Sequence, residues 1–138
     1  MTIRVLNRDE MAVETEHDVV TVRRKAQAVA HGRGLSTFAI AAITTAASEL
    51  ARNVLAHARR GTASVEAVAA DGRSGVRMVF RDDGPGIADL PRALAGGYST
   101  ARSLGLGLSG SRRLVDEFEI ETAPGKGTVV TVIKWARF

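Results

Sequence analysis

Three short motifs follow one another in this chain of 138 residues, and each carries groups suited to binding a nucleotide. They are Glu49-x-x-x-Asn53, Asp82-x-Gly84-x-Gly86 and Gly105-x-Gly107-x-x-Gly110, and a Gly127-Thr128 pair comes after them. In this order they supply an amide oxygen for a metal, a carboxylate for an adenine amine and a glycine loop for phosphates. Each motif alone is weak, but the ordered set indicates a nucleotide site.

Glu49 and Asn53 are four residues apart, so on a helix their side chains share one face, about 6 Å apart. The neutral carbonyl oxygen of Asn53 suits Mg²⁺, which keeps most of its waters and bridges to substrate phosphates. The carboxylate of Glu49 can take a proton from an incoming hydroxyl or water. The competing interpretation is a solvated polar stripe on a buried helix. His57 continues the same face, and we expect it to support the site rather than to bind a metal.

Asp82 ends a predicted strand, where a fixed carboxylate can accept a hydrogen bond from an exocyclic amine. Gly84 and Gly86 would let a flat ring approach the backbone, but Asp-Gly and Pro-Gly are also strong turn signals, so a plain turn is the alternative. The motif Gly105–Gly110 opens a helix, where backbone N–H groups and the helix dipole can meet phosphates. No βαβ pattern surrounds it, which excludes a dinucleotide-binding fold.

A glycine-rich stretch runs from Asp82 to Ser109, and a loop of this length inside a compact domain is usually functional. Its part from Gly96 to Ser103 is rich in glycine and hydroxyl side chains. We expect this part to close as a lid over the nucleotide, with Arg102 meeting a terminal phosphate. The alternative for Arg102 is a solvated loop charge.

The flanking sequence predicts an α+β fold with helices on one face of a sheet. Residues 2–15 are expected to form two short strands around the turn-prone Asn7-Arg8-Asp9. Further helices and strands follow from hydrophobic periodicity, caps and turn residues. The helices are Asp18 to about Ala30, Ser36 to about Ala58 (closed by Gly61) and about Leu108 to Glu117; the strands are Ala63–Ala69, Val76–Phe80, Phe118–Thr122 and Thr128–Trp135. The second helix is apolar most of the way round and should be buried, and Trp135 should cap the sheet.

Composition favours one domain spanning 1–138, with 45% hydrophobic and 25% charged residues. The chain has no cysteine, which excludes disulfides and thiolate metal sites. The first sixteen residues have no apolar region of the kind found in signal peptides, and no apolar run is long enough to span a bilayer. The cytoplasm is therefore the expected location. The net charge of +4 suits an acidic protein partner and a polyanionic ligand equally well, whereas the few aromatic residues argue against nucleic acid.

Taken together, the motifs resemble the GHKL, or Bergerat-fold, ATPases, a superfamily that includes the ATP domains of histidine kinases. Closer still is the likeness to the RsbT-type anti-sigma regulatory serine/threonine kinases, which is carried by Thr45–Asn53, Gly97–Ala101, Leu104–Leu108 and Arg113–Phe118. The likeness covers nearly all of residues 5–135. It implies a two-layer sandwich of a mixed, mostly antiparallel sheet with helices on one face.

The resemblance also implies a function: an ATP- and Mg²⁺-dependent kinase that phosphorylates a Ser or Thr of a STAS-domain protein, an antagonist or stressosome-like scaffold. Such kinases also bind and activate a phosphatase. By this resemblance Asn53 binds Mg²⁺, Glu49 is the catalytic base, and Asp82 contacts adenine with support from Thr128. Arg102 joins Glu49 and Asn53 as a catalytic residue. The nucleotide-binding residues it implies are Asn53, His57, Asp82, Gly84, Gly86, Ile87, Ser99, Thr100, Gly105, Leu106, Gly107, Leu108 and Thr128.

Two other functions stay open at this point. One is an anti-sigma factor that sequesters a sigma factor and phosphorylates an anti-anti-sigma protein; the other is a degenerate ATP-binding switch that only activates a phosphatase. The lid favours the STAS-directed kinase over the anti-sigma factor. The presence of Glu49 and Asn53 disfavours the degenerate switch. No nucleic acid or membrane is expected as a partner, and both a monomer and a homodimer are compatible with the sequence.

Overall fold

The structure is a computed structural model that describes residues 2–89, 91, 94 and 104–137. Within this part of the chain, five strands and three helices follow one another. They are β1 (Arg4–Val13), α1 (Glu16–Gly32), α2 (Thr37–Ala58), β2 (Gly61–Ala70), β3 (Arg73–Asp82), α3 (Leu104–Leu114), β4 (Glu117–Thr122) and β5 (Thr128–Trp135). None of the helices formed by described residues is long and apolar enough to cross a membrane.

The five strands form one sheet in the order β1-β2-β3-β5-β4. Each of its four pairings is antiparallel, so between the described strands the parallel pair of a mixed sheet does not occur. The α+β class is confirmed. The β2–β3 hairpin turns on two residues, Asp71 and Gly72, both with positive φ (51° and 77°), as a tight hairpin turn requires. β2 and β3 therefore extend nearer to the turn than the predicted strands, which end at Ala69 and begin at Val76.

The prediction of two short strands before α1 is wrong. One ten-residue strand, β1, pairs with β2 from Arg4↔Ala69 to Val13↔Gly61, with a shift of register between Val5 and Asn7. A bulge of this kind absorbs an extra residue without ending a strand. Pairing along the whole of β2 thus outweighs the turn propensity of Asn7-Arg8-Asp9.

Helix α1 begins two residues before the predicted Asp18 because Asp18 belongs to its cap. The hydroxyl of Thr15 accepts from the backbone N–H of Asp18 at 3.2 Å, and the Asp18 carboxylate accepts from the N–H of Thr15 at 3.0 Å. This is a capping box. A further N–H, that of Glu14, is the main cause of the lowered pKa of Asp18.

Helix α2 starts as predicted, with the Ser36 hydroxyl accepting from the N–H of Ala39 at 3.1 Å. It ends at Ala58, and Arg59 follows with φ 72°. Gly61 does not close the helix; it opens β2, where a Cβ atom would lie 2.2 Å from the carbonyl oxygen of Arg81. The helix is also not buried all round, since Phe38 in its first turn is 85% exposed.

The core lies between the helices and one face of the sheet. Val76, Met78 and Phe80 of β3 face it and are at most 2% exposed. They pack in one cluster with buried residues of α2, namely Ala39, Ile43, Ala46, Ala47, Leu50, Ala51 and Val54. On the opposite face, Arg77 pairs with the buried Glu66.

Trp135 covers part of that opposite face, as predicted. It is 4% exposed and clusters with Val68, Ala70 and Ile133. Its ring lies over Gly75, where a Cβ atom would be 2.6 Å from the ring. The indole N–H donates to Glu117 at 2.7 Å, which ties β4 to β5.

Helix α3 begins at Leu104, four residues before its predicted start, and ends at Leu114 instead of Glu117. Its early end has a cause in the sheet. The carboxylate of Asp116 accepts from the backbone N–H of Trp135 at 2.7 Å, and the N–H of Asp116 donates to Ile133 at 2.9 Å. Asp116 is therefore hydrogen-bonded to β5 and leaves the helix, although the sequence pattern predicts that the helix continues to Glu117.

Candidate nucleotide-binding site

Helix α2, the ends of β3 and β5 and the segment after β3 enclose a pocket. Its lining consists of Leu50, Asn53, Val54, His57, Phe80, Asp82, Pro85, Gly86, Ile87, Leu108, Thr128 and Val130. The space is about 420 Å³, counting the part open to solvent. A mostly apolar wall with a few polar groups is typical of sites for small molecules and cofactors.

Seven of the residues predicted for the site line this one pocket: Asn53, His57, Asp82, Gly86, Ile87, Leu108 and Thr128. They come from four separate parts of the chain. Gly84 lies behind the lining, next to Asp82. Gly105, Leu106 and Gly107 belong to the first turn of α3, so the glycine motif is helical where a loop was expected. The predicted Ser99, Thr100 and Arg102, with the rest of the lid, lie outside the described residues.

Glu49 stands one helical turn before Asn53 but is not part of the lining. Its side chain is 41% exposed and lies 3.5 Å from Arg52. Because an exposed ion pair of this length is weak, the carboxylate can turn towards an incoming group. Its position beside the pocket, facing solvent, suits a base that meets a second substrate.

Asp82 is held at the end of β3 by two backbone donors. Its carboxylate accepts from the N–H of Gly84 at 2.9 Å and from the N–H of Thr128. Burial raises the pKa of Asp82, and these two hydrogen bonds oppose the increase. The sequence left a plain turn and a carboxylate in a binding site as alternatives. The structure has the turn bond from Gly84, and Asp82 also lines the pocket.

His57 lines the pocket one turn after Asn53. Desolvation lowers the pKa of His57, and the nearby Asp82 carboxylate raises it to a smaller extent. The imidazole is therefore mainly neutral at pH 7 and does not add positive charge beside the carboxylate. No group of three or more His, Cys, Asp or Glu side chains that could hold a metal occurs in the described residues.

The amide nitrogen Nδ2 of Asn53 is buried and has no hydrogen-bond partner among the described residues. A buried N–H group of this kind costs about 1–3 kcal/mol when it is left unpaired. A pocket that presents such a group has a donor ready for an acceptor on a bound molecule.

The two glycines after Asp82 have a packing reason that the sequence did not show. A Cβ atom at Gly84 would lie 2.7 Å from the Cβ of Ala58 in α2, and one at Gly86, with φ 77°, would lie 2.0 Å from the carbonyl oxygen of Ala123. They allow close contact between segments of the chain. In addition, the N–H of Gly125 donates to Pro85 at 2.7 Å, which fixes the segment to the β4–β5 turn.

One polar residue that holds the site together was missed in the sequence. Thr122 pairs with Thr128 at the ends of β4 and β5, and its hydroxyl lies 2.9 Å from that of Thr128. It also bonds to Ile87 and Gly127, both at 3.0 Å. The register of the predicted β4–β5 hairpin, which sets Thr122 opposite Thr128, is the signal that could have identified it.

The chain matches the family model described as "Histidine kinase-like ATPase domain" over residues 12–134. It belongs to the histidine kinase-like ATPase family. The histidine kinase domain of the blue-light activated histidine kinase EL346 from Erythrobacter litoralis has the same fold, with a TM-score of 0.51 over 84% of this chain at 22% identity. The present chain spans 59% of the length of that structure.

Two curated relatives are more similar in sequence. The "Serine/threonine-protein kinase RsbT" of Bacillus subtilis is 42% identical over 125 residues, which cover 91% of this chain and 94% of the relative. An "Anti-sigma F factor" of Caldanaerobacter subterraneus is 32% identical over 102 residues, 70% of each chain. The RsbT-type resemblance and the predicted enzyme class, a protein serine/threonine kinase, are confirmed.

Proposed function

We propose that this chain is an ATP- and Mg²⁺-dependent protein serine/threonine kinase of the cytoplasm that phosphorylates a STAS-domain regulator and can also activate a phosphatase. The observation that carries the proposal is one pocket lined by Asn53, Asp82 and Thr128 together, with Glu49 one turn away on α2. Membership of an ATPase family supports ATP as the nucleotide. The name of the Bacillus subtilis relative supports Ser or Thr as the acceptor.

The pocket suits adenine. Val54, Phe80 and Val130 offer apolar surface to the ring, and the Asp82 carboxylate can accept from the exocyclic amine. Both backbone donors to Asp82 favour its charged form, which is the form that accepts. The first N–H groups of α3 have no partner within a helix, and at a helix N-terminus such groups suit phosphates.

The donor set of Asn53 suits Mg²⁺ together with a triphosphate. Its carbonyl oxygen is a hard, neutral ligand of the kind Mg²⁺ accepts beside substrate phosphates. Its unpartnered Nδ2 can donate to a phosphate oxygen, which accounts for the buried polar atom. When bound, Mg²⁺ and ATP supply the charge neutralisation and the phosphoryl group. Asn53 would hold Mg²⁺ and ATP, and Glu49 would contact neither.

Glu49 is the base in this proposal. A hydroxyl that attacks a phosphate must lose its proton, and a carboxylate within hydrogen-bond reach can accept it. Glu49 is half-exposed, so a side chain of another protein can reach it. Asn53, four residues on, keeps the base one helical turn from the proposed metal ligand.

The STAS-domain substrate and the phosphatase are supported by the RsbT-type resemblance. A second function is favoured by the 32% identity to an anti-sigma F factor: the chain would sequester a sigma factor and phosphorylate an anti-anti-sigma protein. Both functions use the same ATP site and differ in the partner bound.

The test is a phosphotransfer assay with labelled ATP, Mg²⁺ and the STAS-domain proteins encoded by the source genome. We expect label on a Ser or Thr of one of them, and none on that substrate after its acceptor is replaced by Ala. The Asn53→Ala variant is the control for contaminating kinases. A pull-down from native cell extract then separates the two functions: a sigma subunit bound by the ATP-loaded chain supports the second, and a STAS protein without a sigma subunit supports the first. Lack of transfer to every STAS protein would contradict both.

A further inference from the structure

Thr122 makes three hydrogen bonds with a single hydroxyl. Its Oγ1 atom lies 3.0 Å from the backbone nitrogen of Ile87, 3.0 Å from the carbonyl oxygen of Gly127 and 2.9 Å from the hydroxyl of Thr128. These contacts join the segment after β3 to both ends of the β4–β5 turn. Thr122 does not itself line the pocket, whereas Ile87 and Thr128 do.

The chemistry of the partners fixes the direction of each bond. A hydroxyl has one proton and two lone pairs. The N–H of Ile87 can only donate, so Thr122 accepts there. The carbonyl of Gly127 can only accept, so the Thr122 proton goes there. For the contact with the Thr128 hydroxyl, Thr122 has one lone pair left and no proton. Thr128 must therefore be the donor.

Thr128 therefore has no proton to offer a ligand. Thr128 lines the pocket beside Asp82, so its hydroxyl can meet a ligand there with its lone pairs alone, next to a carboxylate that is also an acceptor when charged. This edge of the pocket presents two acceptors side by side. A base that places an amine here is accommodated, and one that places a carbonyl oxygen here meets repulsion from both groups.

We infer that Thr122 is a specificity-determining positioning residue: by taking the Thr128 proton, it makes the pocket select a purine with an amine at position 6 over one with a carbonyl. This rests on the proposed adenine site and deepens it. Thr122 acts through Thr128 and touches no ligand, which distinguishes its role from that of Asp82.

The test compares the affinities of ATP and inosine triphosphate by calorimetry, since hypoxanthine carries a carbonyl where adenine carries the amine. In Thr122→Val the shape is kept and the Thr128 proton is released, so Thr128 can donate to the carbonyl. We expect the ratio of ATP affinity to inosine triphosphate affinity to fall roughly threefold to tenfold, the effect of about one hydrogen bond. In Thr122→Ser, which keeps the hydroxyl, the ratio should stay at the wild-type value.

A purely structural role for Thr122 gives a different result, because a loosened pocket weakens both nucleotides equally and leaves the ratio unchanged. That outcome would overturn the inference. If Thr122→Val does not fold, Thr128→Val serves instead: it keeps the bonds of Thr122 to Ile87 and Gly127 and removes the second acceptor, so the ratio should again fall. A wild-type chain that binds neither nucleotide would contradict the proposed function itself, whereas tight ATP binding with an unchanged ratio in the variants contradicts this inference alone.

Discussion

Gly127 lies directly against the backbone of Asp82: a Cβ atom on Gly127 would be 2.3 Å from the Asp82 carbonyl oxygen. The two residues lie at the ends of neighbouring strands, since Asp82 ends β3 and Gly127 comes just before β5. The contact brings Thr128 opposite Asp82 in the sheet and its N–H to the carboxylate. The Gly-Thr pair of the sequence thus has a packing reason for its glycine and a polar reason for its threonine.

We expect Gly127→Ala to destabilise the fold more than Gly125→Ala. Both glycines have φ 77°, but a Cβ atom at Gly125 would meet no described atom within 4 Å. Gly125→Ala therefore isolates the cost of the left-handed backbone, about 1 kcal/mol, and Gly127→Ala adds a clash worth about 1–3 kcal/mol more. Urea unfolding without nucleotide measures both. Equal losses in the two variants would mean that the contact with Asp82 is relaxed in solution.

Asp82→Asn should weaken ATP binding and the preference for ATP over GTP together. The asparagine oxygen can still accept from the N–H of Gly84, so the turn should survive. The new amide donor, however, would face the amine of adenine. Loss of a hydrogen bond to a charged group costs about 1.5–3 kcal/mol, or roughly tenfold or more in affinity. Titration of each nucleotide by calorimetry is the measurement, and an unchanged preference would reduce Asp82 to a turn residue.

The affinity for ATP should also depend on pH through Asp82. Burial raises the pKa of Asp82 from its ordinary value of 3.8, and only the charged form accepts from the amine without offering a proton. As the pH falls through this raised pKa, the carboxylate is protonated and ATP affinity should decrease. Binding should correspondingly release a proton in the same pH range. The Asp82→Asn variant is the control, because any pH dependence that it keeps comes from other groups or from ATP itself.

Asn53→Ala should weaken binding of Mg·ATP much more than binding of ATP without metal. The substitution removes a neutral oxygen ligand and also the buried, unpartnered Nδ2. Stability without nucleotide should therefore change little, although a side chain in the pocket wall is lost. Calorimetric titrations with Mg²⁺ and with a chelator separate the two affinities. Equal losses under both conditions would contradict metal binding by Asn53.

The parts of the site that side-chain chemistry defines could be predicted from sequence, and the parts that depend on contact between distant segments could not. Asn53, Asp82 and Thr128 carry functional groups that identify them, and they do line one pocket. Gly84 and Gly86 were singled out in the sequence, but the close contacts that they allow are with Ala58 and Ala123, which no local pattern connects to them. The same holds for Thr122, because a threonine at a strand end has no distinctive pattern until its partners are known.

The predictions of helices and strands divide in the same way, into features that depend on neighbouring residues and features that depend on distant ones. Caps and hairpin strands depend on neighbouring residues, so the Ser36 cap and β5 were predicted as observed, and β4 begins only one residue before its predicted start. The single strand β1 depends on pairing with β2, some sixty residues away, and the early end of α3 depends on the bond from Trp135 to Asp116. Long-range pairing of this kind outweighs local propensity, which is why both predictions failed.

Glu49→Gln should abolish phosphoryl transfer while leaving ATP affinity close to that of the wild type. The amide has nearly the same shape as the carboxylate but cannot accept a proton, and loss of a general base usually costs about 10²–10⁴-fold in rate. Glu49 lies outside the pocket lining, so the nucleotide should bind as before. Single-turnover transfer to a STAS-domain substrate measures the rate, and calorimetry measures the affinity.

The matched control is Arg52→Gln, one turn along the same exposed face. It breaks the 3.5 Å contact between Arg52 and Glu49 but keeps the base. Since an exposed pair contributes at most about 1 kcal/mol, both variants should fold, and Arg52→Gln should retain most of its transfer rate. Comparable losses in the two variants would indicate that the ion pair, and not proton transfer, is what the reaction requires. If Glu49→Gln still phosphorylates its partner at the wild-type rate, Glu49 is a structural polar residue of α2, and the base must be sought elsewhere.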